Sequence, residues 1–73
     1  MEHHIFTLKP DTEFIPLDKL LKLMNLVASG GEAHAVIQEG WVKVNGVTEL
    51  QKRKKMRAGD TAEFNGQRIE VKV

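Results

Sequence analysis

Leu17, Leu20, Leu21 and Met24 fall at i, i+3, i+4 and i+7, which draws one apolar stripe along an amphipathic helix over about residues 16–26. Pro16 suits the first turn of that helix, where its missing N–H costs nothing. Asp18 and Lys22 then form an i,i+4 ion pair on the side away from the stripe. A second helix opens at Ser29, which can cap it, with Glu32 three residues on completing a capping box. Its apolar repeat is Ala33, Val36 and Ile37, and Gly40 stands where a left-handed stop belongs. Only a few residues separate the two segments, so they form a compact helical hairpin.

Elsewhere the period is two. Residues 3–9 read as a strand containing Ile5 and Phe6, broken by Lys9-Pro10-Asp11-Thr12. After Gly40, Val42 and Val44 alternate with Trp41, Lys43 and Asn45. Asn45-Gly46 is a tight-hairpin signal. A basic strand follows near 52–57, Gly59-Asp60 turns the chain, and Thr61–Phe64 makes the next strand. Asn65-Gly66 leads into Arg68–Val73, where Ile69, Val71 and Val73 alternate with charge. The expected class is α+β, with an N-terminal strand and a two-helix hairpin packed on a small antiparallel sheet.

Seventy-three residues predict one domain, spanning 1–73. A chain of this size buries only about 60% of the surface it exposes when unfolded, so its stability margin is thin. It contains no Cys, which removes disulfides and thiolate metal sites and fits a cytoplasmic protein. No apolar run reaches the roughly 20 residues that cross a bilayer, and no signal segment opens the chain.

Charge changes the picture through its distribution. Net charge is only +1, yet five of the eleven Lys and Arg residues lie in Lys52-Arg53-Lys54-Lys55-Met56-Arg57. None of the ten acids falls inside that window. If it is extended, Met56 points inward, Arg53, Lys55 and Arg57 share the solvent face, and Lys52 and Lys54 lie toward the edge. Two readings stand side by side: edge lysines that block aggregation, or a local positive field that binds phosphates.

Ser29-Gly30-Gly31 is either a capped helix turn or a helix N-terminus bare enough for a phosphate to approach its N–H groups. Trp41, in register with Lys43, either stacks on an unpaired base or closes the edge of the core. His3 and His4 point to opposite strand faces and make a poor metal clamp. His34 has Gln38, not a ligand, at i+4, and reads as a surface residue near the phosphate site. No metal site, cofactor or small-molecule substrate is expected. Enzyme motifs are absent: there is no Cys nucleophile, no glycine loop ending in Lys-Ser/Thr and no His-Glu-x-x-His.

The ordered series Leu17-Asp18-Lys19-Leu20-Leu21, Ala28-Ser29-Gly30-Gly31-Glu32-Ala33, Ile37 to Gly46 and Gly59-Asp60 resembles the RNA-binding domain named after ribosomal small-subunit protein four, built on the alpha-L motif. The stretch from Phe14-Ile15 through Gly59-Asp60 is similar to its stand-alone bacterial branch, the YbcJ and YaaA proteins, and the resemblance covers about residues 13–73. It implies RNA binding by a helical hairpin on a small sheet. Carried over by position, it points to Ser29, Gly30, Gly31, His34, Lys43 and Lys52 to Lys55, while Val44-Asn45-Gly46 is a structural turn. Many members carry Arg where this chain has Gly30 and His34, so binding here should lean on the basic window. Gln51 and Arg53 stand where the branch commonly has Arg and Gly, which shifts the positive charge.

The resulting expectation is a non-enzymatic, monomeric RNA-binding module for structured RNA, ribosomal or transfer RNA, using Ser29, Gly30, Gly31, His34, Trp41, Lys43, Lys52, Arg53, Lys54, Lys55 and Arg57. The alternative is a protein-interaction adaptor whose basic strand meets an acidic partner.

Overall fold

A computed structural model describes residues 2–73. The chain forms β1 (Glu2–Thr7), β2 (Ile15–Pro16), α1 (Leu17–Leu23), α2 (Gly30–Gln38), β3 (Lys43–Val44), β4 (Val47–Thr48), β5 (Lys55–Met56), β6 (Thr61–Phe64) and β7 (Gln67–Lys72). The expected α+β layout is present. One sheet has the order β1-β7-β6-β3-β4, and β2 pairs with β5 in a separate two-stranded ribbon.

The main sheet is mixed. β6 runs antiparallel to both β3 and β7, while β1 joins parallel to β7 in the register His4↔Ile69, Phe6↔Val71. Parallel neighbours cannot be joined by a tight turn. Here the connection from β1 to β7 contains both helices and the rest of the sheet.

Both hairpin turns use Asn-Gly with positive φ: Asn45 at 52° and Gly46 at 83°, Asn65 at 53° and Gly66 at 78°. Such turns match the twist of the strands they join. Asn45 does more than turn. Its backbone N–H donates to the Thr61 carbonyl at 2.9 Å, its Oδ1 accepts from Thr61 N–H at 3.0 Å, and its Nδ2 donates to Asp60 Oδ1 at 3.1 Å. Asp60 in turn accepts from Arg57 N–H at 2.8 Å through Oδ2. Two sequence-distant turns are thereby locked into one knot.

Helix α1 is shorter than the predicted 16–26. Pro16 is extended, with ψ 142°, and belongs to β2 rather than the first turn. At the other end Asn25 adopts φ 59°, Leu26 N–H donates to the Leu21 carbonyl and Asn25 N–H to the Lys22 carbonyl. This double bond is the Schellman closure, which needs a residue tolerant of the left-handed region at that point. Helix α2 ends the same way: Gly40 has φ 81°, Trp41 N–H donates to Val36 O, and Gly40 N–H to Ile37 O. Its start carries the predicted cap, with Ser29 Oγ accepting from Glu32 N–H at 3.2 Å, while the Glu32 carboxylate accepts from Ala28 N–H, one residue before the Ser29 N–H that a capping box uses.

The predicted stripe is buried except at its end, where Met24 is the C-cap of α1 and only partly covered. Leu17, Leu20 and Leu21 on α1 meet Ala33, Val36 and Ile37 on α2, and Val42, Val44, Met56, Ala62, Ile69 and Val71 of the strands complete the core. Each fully buried large aliphatic side chain contributes about 1.5–3 kcal/mol.

Candidate nucleic-acid interface

The basic window does not form the expected six-residue strand. Only Lys55–Met56 is strand, paired antiparallel with Ile15–Pro16, and Lys52-Arg53 is a turn. The reason lies at the start of α1. The first N–H groups of a helix lack internal partners, and the N-cap residue here is Pro16, whose side chain makes no capping bond. The chain solves this from outside: Leu17 N–H donates to the Lys54 carbonyl at 2.9 Å and Asp18 N–H to the Lys52 carbonyl at 3.0 Å. The basic segment therefore caps α1 with its backbone. Lys52 and Lys54 are half-buried, not edge-strand lysines, whereas Arg53, Lys55 and Arg57 are exposed as expected, and Met56 is fully buried between them.

Asp18 is not a surface partner of Lys22. It is 9% exposed and faces the second helix and the basic turn. His34 Nε2–H donates to Asp18 Oδ2 at 2.8 Å, Lys19 N–H donates to Asp18 Oδ1 at 2.8 Å, and Arg53 Nε approaches Asp18 Oδ2 at 3.7 Å. The Asp18–His34 bond fixes the imidazole tautomer by placing the proton on Nε2. His34 is thus half-buried and engaged, where the sequence suggested a free surface residue. One carboxylate joins α1, α2 and the basic turn.

Lys52, Lys54, Lys55 and Arg57 form no ion pair with any described carboxylate, and Arg53 keeps its side chain 82% exposed. Folding brings the Asp18 carboxylate to Arg53 and the Asp60 carboxylate to the Arg57 backbone, and leaves the four side chains other than Arg53 without an ion pair among the described residues. Lys55 and Arg57 instead converge on an aromatic ring: Lys55 Nζ lies 5.1 Å and Arg57 Cζ 5.8 Å from the Phe14 centroid. Cation–π contacts of this kind hold the two charges side by side.

Ser29, Gly30 and Gly31 open α2, and Gly30 lies one helical turn before His34, on the same face. A side chain added at Gly30 would meet open space. The bare helix start thus leads along one face to His34, Asp18 and Arg53. Trp41 and Lys43 follow the other end of α2, about 14 Å away along a nine-residue helix. Trp41 is 63% exposed, so the reading that it closes the core is overturned. It shares the solvent side with Lys43 while Val42 and Val44 are buried, as the alternation predicted. No described hydrogen bond or ion pair ties Trp41 or Lys43 side chains to the basic segment. Lys43 stands in register with Glu63, whose carboxylate is taken by Arg68 at 2.6 Å.

Sequence reasoning missed Phe14 and undervalued Asp18. Asp18 lies three residues before Leu21 and so borders the apolar stripe, a position from which a short acid can reach a neighbouring helix. Phe14, in the run Phe14-Ile15-Pro16, was the aromatic nearest in sequence to α1.

The S4-domain family model matches residues 8–72. The chain belongs to the S4-domain family. It is similar to YbcJ of Escherichia coli (strain K12), at 44% identity over 57 residues that cover 78% of this chain and 81% of the relative. It is also similar to a Bacillus subtilis (strain 168) protein named "Probable ribosome maturation protein RlbA", at 38% identity over 77% of this chain and 79% of that one. Among solved structures, the solution structure of Escherichia coli YbcJ superposes with a TM-score of 0.72 and 39% identity, covering 94% of this chain and 86% of YbcJ. That structure is described as revealing an alpha-L motif involved in RNA binding. As an S4-domain protein, the chain carries Gly30 and His34 on α2, and four of its cations without an ion pair among the described residues, Lys52, Lys54, Lys55 and Arg57, lie in and beside β5.

Proposed function

We propose that this S4-domain protein is a non-enzymatic RNA-binding module comprising one domain, which grips structured RNA through phosphates and shape. The observation that carries the reading is the cluster Lys52, Lys54, Lys55 and Arg57, which no described carboxylate neutralises and which the backbone pins to the start of α1. A field of clustered cations attracts a polyanion. Arg53 adds an exposed guanidinium, and Ser29, Gly30 and Gly31 offer N–H donors to one more phosphate. His34 holds Asp18, whose carboxylate also faces Arg53, rather than reading bases, while Trp41 and Lys43 extend the surface at its far end. The target class is ribosomal or transfer RNA; the name of the Bacillus subtilis relative, which refers to ribosome maturation, favours the ribosomal branch. The protein acts as a cytoplasmic monomer without a cofactor; among the described residues, no helix is long and apolar enough to cross a membrane.

The test is a salt titration of RNA affinity. Four or five engaged phosphates predict a slope of log K against log salt of about −3 to −4. Lys54→Glu with Lys55→Glu should flatten that slope and weaken binding strongly, with an unchanged circular dichroism spectrum. Undiminished binding by the folded double variant would refute the reading and favour an acidic protein partner for the same face.

A further inference from the structure

Beside the cation cluster lies a groove of about 460 Å³, open to solvent, between the end of β1, the loop after it, β2 and α1. Its apolar wall includes Phe6, Phe14, Pro16 and Leu23, and Lys9 and Lys19 also line it. Among the described residues, no acidic side chain contributes to the lining. The volume falls in the range of sites that hold small organic groups, and an apolar lining with a few polar groups is their usual character.

Two features say what would fill it. Leu23 is 52% exposed and Phe14 37% exposed, so large apolar side chains are left facing water at a place where the core could have covered them. The same Phe14 ring carries Lys55 and Arg57, and Pro16 pairs directly with Lys55. The groove and the phosphate-binding cluster therefore share a wall. An occupant suited to this setting is apolar where it enters and negatively charged where it leaves the groove. An unpaired nucleotide has that chemistry: a base to lie among apolar side chains and flanking phosphates for Lys19, Lys55 and Arg57.

We infer that the Phe14 groove receives one unpaired base of the bound RNA, so that the protein prefers RNA with a bulged or looped-out nucleotide to a fully paired helix. This inference rests on the RNA-binding reading above and gives that surface a selectivity which phosphate contacts alone lack. Charge continuity favours a nucleotide over an acidic peptide, because the cations at the groove are the same ones that extend into the cluster.

The test compares a hairpin RNA carrying a single bulged 2-aminopurine with the same hairpin fully paired. Wild-type protein should bind the bulged RNA more tightly and change the emission of its 2-aminopurine. Phe14→Leu, which keeps the wall apolar but removes the ring, should lose roughly 5- to 100-fold on the bulged RNA. Its affinity for the paired RNA should fall less, because only the ring contacts that align Lys55 and Arg57 are lost there. Leu23→Gln, a neutral polar change at a half-exposed position of the same lining, should reproduce the selective loss without touching the Phe14 cation contacts. Equal affinity of wild type for the two RNAs, or equal losses on both in the two variants, overturns the inference. Lys54→Glu with Lys55→Glu separates the levels. Loss on both RNAs upholds the parent reading whatever the groove does, and wild-type binding by that variant removes the parent reading and the groove assignment together.

Discussion

Replacing Asp18 by alanine tests whether the helices and the basic turn are tied through one buried carboxylate. The side chain of Asp18 is 12% exposed, and its bond from His34 spans 2.8 Å. A hydrogen bond to a charged group contributes about 1.5–3 kcal/mol net. A carboxylate in the first turn of α1 adds about 0.3–1 kcal/mol against the helix dipole. The His34 side chain is 37% exposed and can recover water once its partner is gone, which places the sum toward the lower end, at about 2 kcal/mol. Arg53 adds little, being an exposed partner. For a domain of this size about 2 kcal/mol lowers Tm by roughly 8–16 °C. Urea unfolding followed by far-ultraviolet circular dichroism measures it; Trp41 is too exposed to be a sensitive fluorescence reporter of the core. Lys22→Ala is the control, and should stay within about 0.5 kcal/mol. In a double-mutant cycle Asp18→Ala and His34→Ala should couple by at least about 0.5–1 kcal/mol, whereas Asp18→Ala and Lys22→Ala should be additive. A loss of only about 0.3–0.5 kcal/mol for Asp18→Ala, the worth of a surface helix pair, would refute the buried link.

Asn45→Ala should cost more than Asn65→Ala although both residues have the same positive φ. Each loses about 1–2 kcal/mol of left-handed tolerance, and Asn45 alone forfeits side-chain bonds to Thr61 and Asp60 worth roughly 0.5–1.5 kcal/mol each. Equal midpoints in thermal melts of the two variants would count against the knot. Gly40→Ala should destabilise by about 1–2 kcal/mol because φ is 81° there. Gly30→Ala, in helical backbone with open space around it, should instead be neutral or stabilise by up to about 1 kcal/mol. Gly30→Leu should leave the fold intact, since a side chain there meets open space, and should lower RNA affinity in the same titration by covering the N–H groups at the helix start; unchanged binding would remove those groups from the contact set.

The elements built from neighbours in the chain were legible without coordinates. The 3.6-residue stripe named Leu17, Leu20, Leu21, Val36 and Ile37 as core, the capping box located the start of α2, and the Asn-Gly pairs located both hairpin turns. Alternation placed Met56 inside and Trp41 outside with Lys43, though it left the role of Trp41 open. These features depend on backbone preferences and on which face of an element is apolar, and both are written within about ten residues. What tertiary structure alone decided are the pairings between distant segments. β1 joins β7 in parallel across almost the whole chain, and Ile15–Pro16 takes Lys55–Met56 as its partner. The capping of α1 by the Lys52 and Lys54 carbonyls, the Asp18–His34 bond and the Phe14 cation contacts belong to the same class. A periodicity says that a face must be covered and a Pro16 N-cap says that helix donors need acceptors. Neither says which distant residue will supply them, because that depends on how all the elements pack at once. The cluster of cations was therefore visible as composition, but its anchoring to the helix start and its aromatic neighbour became visible only in three dimensions.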